Sequence, residues 1–138
     1  MKRFTLMSLA VITLLVTFGS AVQAADLPKD RVAVMYFHRT QRCPTCLKMG
    51  SYVEEAVENG FPNQAADGSV GFYLIDYQAA GNAGLAKAYK ITGPTLIVAK
   101  VTDNKVTGYE NLTDIWTKVR EKADFLAYVR ENIAAYLK

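Results

Sequence analysis

The chain has 138 residues, which suits one domain. Apolar residues make up 51% and charged residues 21%, the balance of a globular protein, which excludes a disordered or fibrous chain. The formal net charge is only +3, and Lys2 and Arg3 supply two of those charges. The remainder is too weakly charged to point to nucleic acid or an anionic membrane surface as partner.

Residues 1–24 read as a secretory signal peptide. Lys2 and Arg3 form a positive start, Phe4 to Phe18 is an uncharged apolar stretch, and Val22-Gln23-Ala24 offers small residues before a cut. The apolar run is short for a membrane span, which needs about 20 residues. Cleavage after Ala24 is expected, leaving 25–138 as one exported domain that does not span a membrane. The form of the signal fits a bacterial periplasm.

Val32 to Phe37 (VAVMYF) is a continuous run of β-formers, which suits a strand buried on both faces. After a polar connection comes Cys43-Pro44-Thr45-Cys46, and from Pro44 the pattern changes period. Met49, Val53, Ala56 and Val57 recur at helical spacing, and Asn59-Gly60 reads as the helix end. Phe61 to Ser69 reads as loop. Val70 to Tyr77 is a second strand and Leu85 to Lys90 a short helix. Pro94 to Val101 is a third strand, turning at Asp103-Asn104-Lys105 into a fourth, Val106 to Tyr109. The rest is helical, in two pieces joined near Lys122, with Thr113 and Asp124 as expected N-caps. Ile115, Trp116 and Val119 make one apolar stripe. Phe125, Tyr128, Val129, Ile133, Tyr136 and Leu137 make the other. This order predicts an α/β fold with a mixed sheet of about four strands. The first two are parallel, the last two antiparallel, and helices flank the sheet.

The two cysteines, Cys43 and Cys46, both lie in one C-x-x-C. A bridge across two residues closes a very small loop and removes little entropy from the unfolded chain, so stability is a poor reason for the pair. Chemistry is a better one. Cys43 falls at the predicted start of a helix, where unpaired N–H groups favour an anion such as a thiolate. Arg42 precedes it and adds positive charge if its side chain turns inward. Cys46 lies one turn further in and is expected to be less exposed. Cys43 would then attack a partner's disulfide and Cys46 would resolve the mixed disulfide. Pro44 stiffens the turn, and Thr45 is small enough to leave access open. No cofactor is needed, because the two sulfurs carry both electrons.

His38, the only histidine, closes the first strand. It either exchanges a proton with the cysteines or hydrogen-bonds a backbone group at the strand end. A further reading makes His38, Cys43 and Cys46 ligands for Cu(I), which favours thiolate. Asp76 reads as a turn cap, and Trp116 as a core or groove residue.

The stretch from Val32 to Val98 resembles thioredoxin. The features that carry the likeness are the apolar strand, C-P-T-C opening a helix, YLID (Tyr73 to Asp76) and YKITGPTLIV (Tyr89 to Val98). The resemblance implies a thioredoxin-like three-layer fold and thiol–disulfide exchange. It also implies a cis Pro94 facing Cys43 and a Gly93 backbone that pairs with an incoming chain. Thiols or disulfides of other exported proteins would be the partners, with a membrane redox protein to recharge the site. The chain departs from the family in lacking an acid on the first strand (Met35, Tyr36, Phe37) and in having Arg42 where a Trp is usual. The family's extra N-terminal strand and helix are also missing. The run Y-F-H-x-x-x-R-C-x-x-C also resembles a group of small exported thioredoxin-like proteins. Copper handling, or service as an accessory subunit of a larger envelope enzyme, are the alternative functions.

Overall fold

The structure, a computed structural model, describes residues 26–138. The segment read as a signal peptide lies outside them. Four strands form one sheet: β1 (Arg31–His38), β2 (Val70–Asp76), β3 (Thr95–Thr102) and β4 (Lys105–Asn111), in spatial order β2-β1-β3-β4. β1 runs parallel to β2 and antiparallel to β3, and β3 turns back antiparallel into β4. The sheet is therefore mixed, as the sequence predicts. β1 holds the centre and is buried from Val32 to His38, which is why its apolar run is unbroken.

Helix α1 (Pro44–Gly60) carries the chain from β1 to β2. Its buried residues include Met49, Val53, Ala56 and Val57, the face that the spacing predicts. Four further α-helices follow among the described residues: α2 (Pro62–Asp67), α3 (Ala83–Ala88), α4 (Ile115–Lys118) and α5 (Lys122–Tyr136). Val32, Val34 and Tyr36 of β1 pack with α1 and α5, whereas Ala33, Met35 and Phe37 point to the opposite face, covered by Tyr89 and Ile91 after α3. Period-two alternation thus divides one apolar strand between two cores, giving helix, sheet and helix layers.

Several local expectations give way to the structure. Phe61 to Ser69 is not all loop: Pro62 opens α2, and Gly68, at φ 80°, closes it in the left-handed region that suits glycine. The short helix ends at Ala88, two residues before the expected Lys90, which itself turns left-handed at φ 54°. Thr113 and Asp124 are not N-caps. Those positions fall on Asp114 and Glu121, neither with a side-chain capping bond, and Asp124 sits inside the first turn of α5. There its charge still favours the helix dipole. Trp116 is 45% exposed and does not fill the core, because α4 is a single turn that buries only Ile115. The hairpin tip behaves as read. Asp103 and Asn104 take φ of 50° and 61°, the two positive angles of a tight turn that matches strand twist.

The two sheet edges differ. β4 carries Lys105 and Glu110 among mostly exposed positions, and its pairing with β3 is irregular between Lys100 and Val101. These are devices that blunt an edge. β2 reads VGFYLID and has no charge before Asp76.

Candidate functional site

Because β1 and β2 run parallel with His38 opposite Asp76, the loops that leave them lie side by side. The 39–43 segment is pinned to the 76–78 segment by polar bonds. The Tyr77 N–H donates to the His38 carbonyl at 3.0 Å, and the Thr40 N–H donates to Gln78 Oε1 at 3.0 Å. The Thr40 hydroxyl donates to Asp76 Oδ2 at 2.7 Å, and Arg39 Nε donates to the Tyr77 hydroxyl at 3.0 Å. Asp76 Oδ1 accepts from the Gln78 N–H at 2.9 Å, so Asp76 caps the turn as read. The Thr40 hydroxyl, ahead of the other influences, holds the Asp76 carboxyl below the usual carboxylate range. Thr40, Tyr77 and Gln78 were invisible as site residues, since only the parallel pairing brings the two loops together.

This scaffold delivers Cys43 to the N-cap of α1, with extended backbone at φ −74° and ψ 159°. Pro44 follows at the first helical position. Cys43 Sγ accepts a hydrogen bond from the Cys46 N–H at 3.1 Å, so one of the unpaired donors of the helix end is spent on sulfur. Cys43, Pro44 and Thr45 are exposed, whereas Cys46 is only 6% exposed. The two cysteines are joined as a disulfide. Beside Cys43 lies an open cleft of about 540 Å³, lined by Arg39, Gln41, Arg42, Cys43, Pro44 and Gln78.

His38 is nearly buried, and its Nδ1 lies 2.7 Å from the Arg39 carbonyl oxygen. A carbonyl only accepts, so Nδ1 carries the proton, which leaves Nε2 as the free nitrogen. Among the described residues no hydrogen bond joins His38 to either sulfur. Nor is any group of three His, Cys, Asp or Glu side chains arranged to hold a metal ion.

Arg42 is half-buried and runs along α1, so that its Nη2 would lie 2.7 Å from a Cβ placed on Gly50. Gly50 is two turns beyond Cys43, so the guanidinium reaches down the helix. The same Cβ would meet Tyr36 ring carbons at 3.4 Å, so the guanidinium is seated close to Tyr36. Tyr36 is fully buried, and its hydroxyl and Arg42 Nε both lack a hydrogen-bond partner. Burial pushes the Tyr36 phenol up to about 12, with the Arg42 charge pulling it partly back. An acid raised in the fold contributes stability below its unfolded value near 10 and loses it as pH climbs towards 12. Tyr36→Phe removes an orphaned hydroxyl, so it is expected to stabilise the protein by about 1 kcal/mol at pH 7. The advantage should widen at pH 11. Urea midpoints at the two pH values check this, and an equal or lower midpoint at pH 7 would refute it.

Continuing the β1–β3 register beyond Phe37 and Thr95 brings Pro94 level with His38 and Gly93 level with Arg39, at the Cys43 end of the sheet. The cis Pro94 that the resemblance implies is not found. The described residues contain no cis peptide bond, and trans is the isomer an X–Pro bond favours by about 0.5–1 kcal/mol. Pro94 is also not part of the lining of the cleft beside Cys43. The Gly93 carbonyl accepts from the Thr95 hydroxyl at 2.8 Å, and a Cβ on Gly93 would touch nothing within 4 Å.

Among solved structures, human ERp44 is similar at TM-score 0.51 and 20% identity, over 75% of this chain and 25% of that one. The fold is thioredoxin-like. The likeness to ERp44 spans only a quarter of that protein's length. Fasciola hepatica thioredoxin is similar at 27% identity and TM-score 0.43, over 67% of this chain and 78% of that one. Mitochondrial thioredoxin 3 of Saccharomyces cerevisiae, in oxidised form, is similar at 20% identity and TM-score 0.42, over 67% and 80%. No protein-family model and no curated protein sequence matches the chain.

Proposed function

We propose that the chain is a thiol–disulfide oxidoreductase of the bacterial cell envelope that exchanges disulfides with other exported proteins. One observation carries this reading: an exposed Cys43 at the N-cap of a 17-residue helix, its sulfur hydrogen-bonded by the Cys46 N–H, with Cys46 buried behind it. In the reduced protein that hydrogen bond and the helix end favour the Cys43 thiolate. The thiolate attacks one sulfur of a partner's disulfide, whose bond breaks and expels the other sulfur as thiolate. Cys46 then loses its proton and attacks Cys43 Sγ, releasing the second partner sulfur. The partner gains two electrons, with one proton from Cys46 and one from solvent, and the Cys43–Cys46 disulfide forms.

A partner's chain would pair with the Gly93 backbone, beside which a Cβ would touch nothing within 4 Å. The envelope location rests on residues 1–24 and on the use of both cysteines in one redox pair. We favour the reducing direction, with a membrane-borne dithiol protein restoring the reduced form. Two measurements test the activity. Reduced protein should accelerate reduction of insulin disulfides by dithiothreitol. Its alkylation by iodoacetamide should reach half its plateau well below pH 8.5, the value of a free thiol. Alkylation that follows pH like free cysteine, together with no insulin activity, would overturn the proposal.

A further inference from the structure

The cleft beside Cys43 has a consistent charge. Arg39 and Arg42 line it with Gln41, Gln78, Cys43 and Pro44, and no carboxylate does. Among the described residues neither arginine forms a salt bridge. Asp76, the acid of the adjoining turn, already accepts from Thr40 and Gln78. Arg39 is held in place by the Tyr77 hydroxyl, a neutral partner. Arg42 is seated over Gly50 with its Nε buried and unpartnered. Two arginines therefore line the cleft that holds Cys43, and neither is in a salt bridge among the described residues.

Arg42 also lines a second cleft of about 340 Å³, with Leu47, Gly50, Ser51, Glu54, Phe72 and Leu74. Arg42 is the residue the two clefts share, and the second lies between α1 and β2. Leu47 is 50% exposed and Leu74 46% exposed, so this second cleft offers apolar surface. Glu54 is the acid in its lining. From Cys43 to Glu54 the helix rises about 16 Å, the reach of about five extended residues. The cleft at Cys43 is thus lined by arginines, and the one beyond Arg42 by apolar residues and one acid.

We infer that the preferred partner of Cys43 is an extended polypeptide segment whose reactive cysteine is flanked by acidic residues, with apolar residues next to it in the Leu47–Phe72–Leu74 cleft. The inference rests on the proposed exchange activity and names its substrate class. The carboxylates would pair with Arg39 and Arg42. Arg is suited to this, because its planar fork binds a carboxylate through two parallel bonds. Attraction of this kind acts chiefly on the rate of encounter and weakens with salt.

Three apolar heptapeptides test it, identical except that the cysteine is flanked by two glutamates, two glutamines or two lysines. Each is supplied as its symmetric disulfide to the reduced full-length protein. At low salt the second-order rate constant should be about tenfold higher for the glutamate than for the lysine peptide, with glutamine between. The ratio should shrink in 0.5 M salt. It should also fall towards one in Arg39→Gln and in Arg42→Gln, read as a ratio within each variant whatever its absolute rate. Arg42→Lys should recover part of it. Arg39 is exposed, so its variant keeps the test usable if the Arg42 change disturbs the Tyr36 contact. Equal rates for the three peptides, or a preference that survives in both glutamine variants, would overturn the inference. Exchange with the small neutral disulfide 2-hydroxyethyl disulfide separates the two levels. If it proceeds while the peptides are not discriminated, only the acidic preference falls. If it too is absent, the activity falls and the preference with it.

Discussion

Cys43→Ser is expected to reduce disulfide exchange to the rate without protein, whereas Cys46→Ser should stop it after the first bond has formed. The asymmetry follows from position. Cys43 is exposed at the helix end, and Cys46 is buried one turn in. A serine at 43 supplies no thiolate, and the buried Cys46 does not meet a bulky disulfide. A serine at 46 leaves the attack intact and removes only the sulfur that would release the partner, so a covalent adduct should accumulate. Loss of the bridge does not confuse the result. A loop this small contributes at most about 2 kcal/mol through unfolded-state entropy, and reduced wild-type protein lacks the bridge as well. Mass spectrometry of each variant mixed with a peptide disulfide reads the outcome directly. The adduct should add one peptide mass to Cys46→Ser, map to Cys43, and vanish with dithiothreitol. An adduct on Cys43→Ser, or retained turnover in it, would reverse the assigned roles.

The parts of the fold that sequence reveals are those in which burial repeats with a period. β1 is legible because both its faces are covered, and α1 because Met49, Val53, Ala56 and Val57 fall on one stripe. The Asp103-Asn104 tip is legible because few residues other than glycine accept two positive φ angles so readily. α2 was missed for the converse reason. None of its residues is buried, so it has no apolar period, and its only signals were Pro62 at the start and Gly68 at the end. Of the two readings of Trp116, core or groove, the core one fails because a single helical turn fixes no stripe, and a large apolar residue there can point outward.

The site divides in the same way. The placement of Cys43 and Cys46 is local, set by a cap and one helical turn, and could be read from four residues. The direction of Arg42 is not local. It depends on the space above Gly50 and on Tyr36, two turns along the helix and across to the sheet. The bonds of Thr40, Tyr77 and Gln78 depend on strand register, which no single segment encodes. The geometry at Pro94 came from a family likeness, and the trans bond is what local energetics alone favours.

Phe125→Ala is expected to destabilise the protein by about 3–5 kcal/mol. Phe125 is fully buried in the first turn of α5, with its ring edge-on to Tyr52 of α1 at 5.5 Å between centroids. It therefore joins the last helix to the one that carries Cys43, and its removal leaves a cavity bounded by Val53, Val129 and their neighbours in the same core. The polar contacts at this seam are far weaker. Lys122 meets Glu55 at 2.7 Å, but the two side chains are 48% and 31% exposed, so Glu55→Gln should cost less than about 1 kcal/mol. The same Lys122 lies 5.3 Å from the Tyr52 ring, a cation–π contact of about 0.5–1 kcal/mol at such an exposed site. Against a total stability of about 5–15 kcal/mol, only the aromatic truncation threatens the folded state. Urea unfolding should show a large drop in midpoint for Phe125→Ala and almost none for Glu55→Gln. The folded fraction of the alanine variant should keep its Cys43 alkylation profile, because the helix cap that shapes it lies more than two turns from Tyr52 along α1. Equal midpoints for the two variants would mean that the buried ring fastens α5 to α1 no more firmly than the ion pair does.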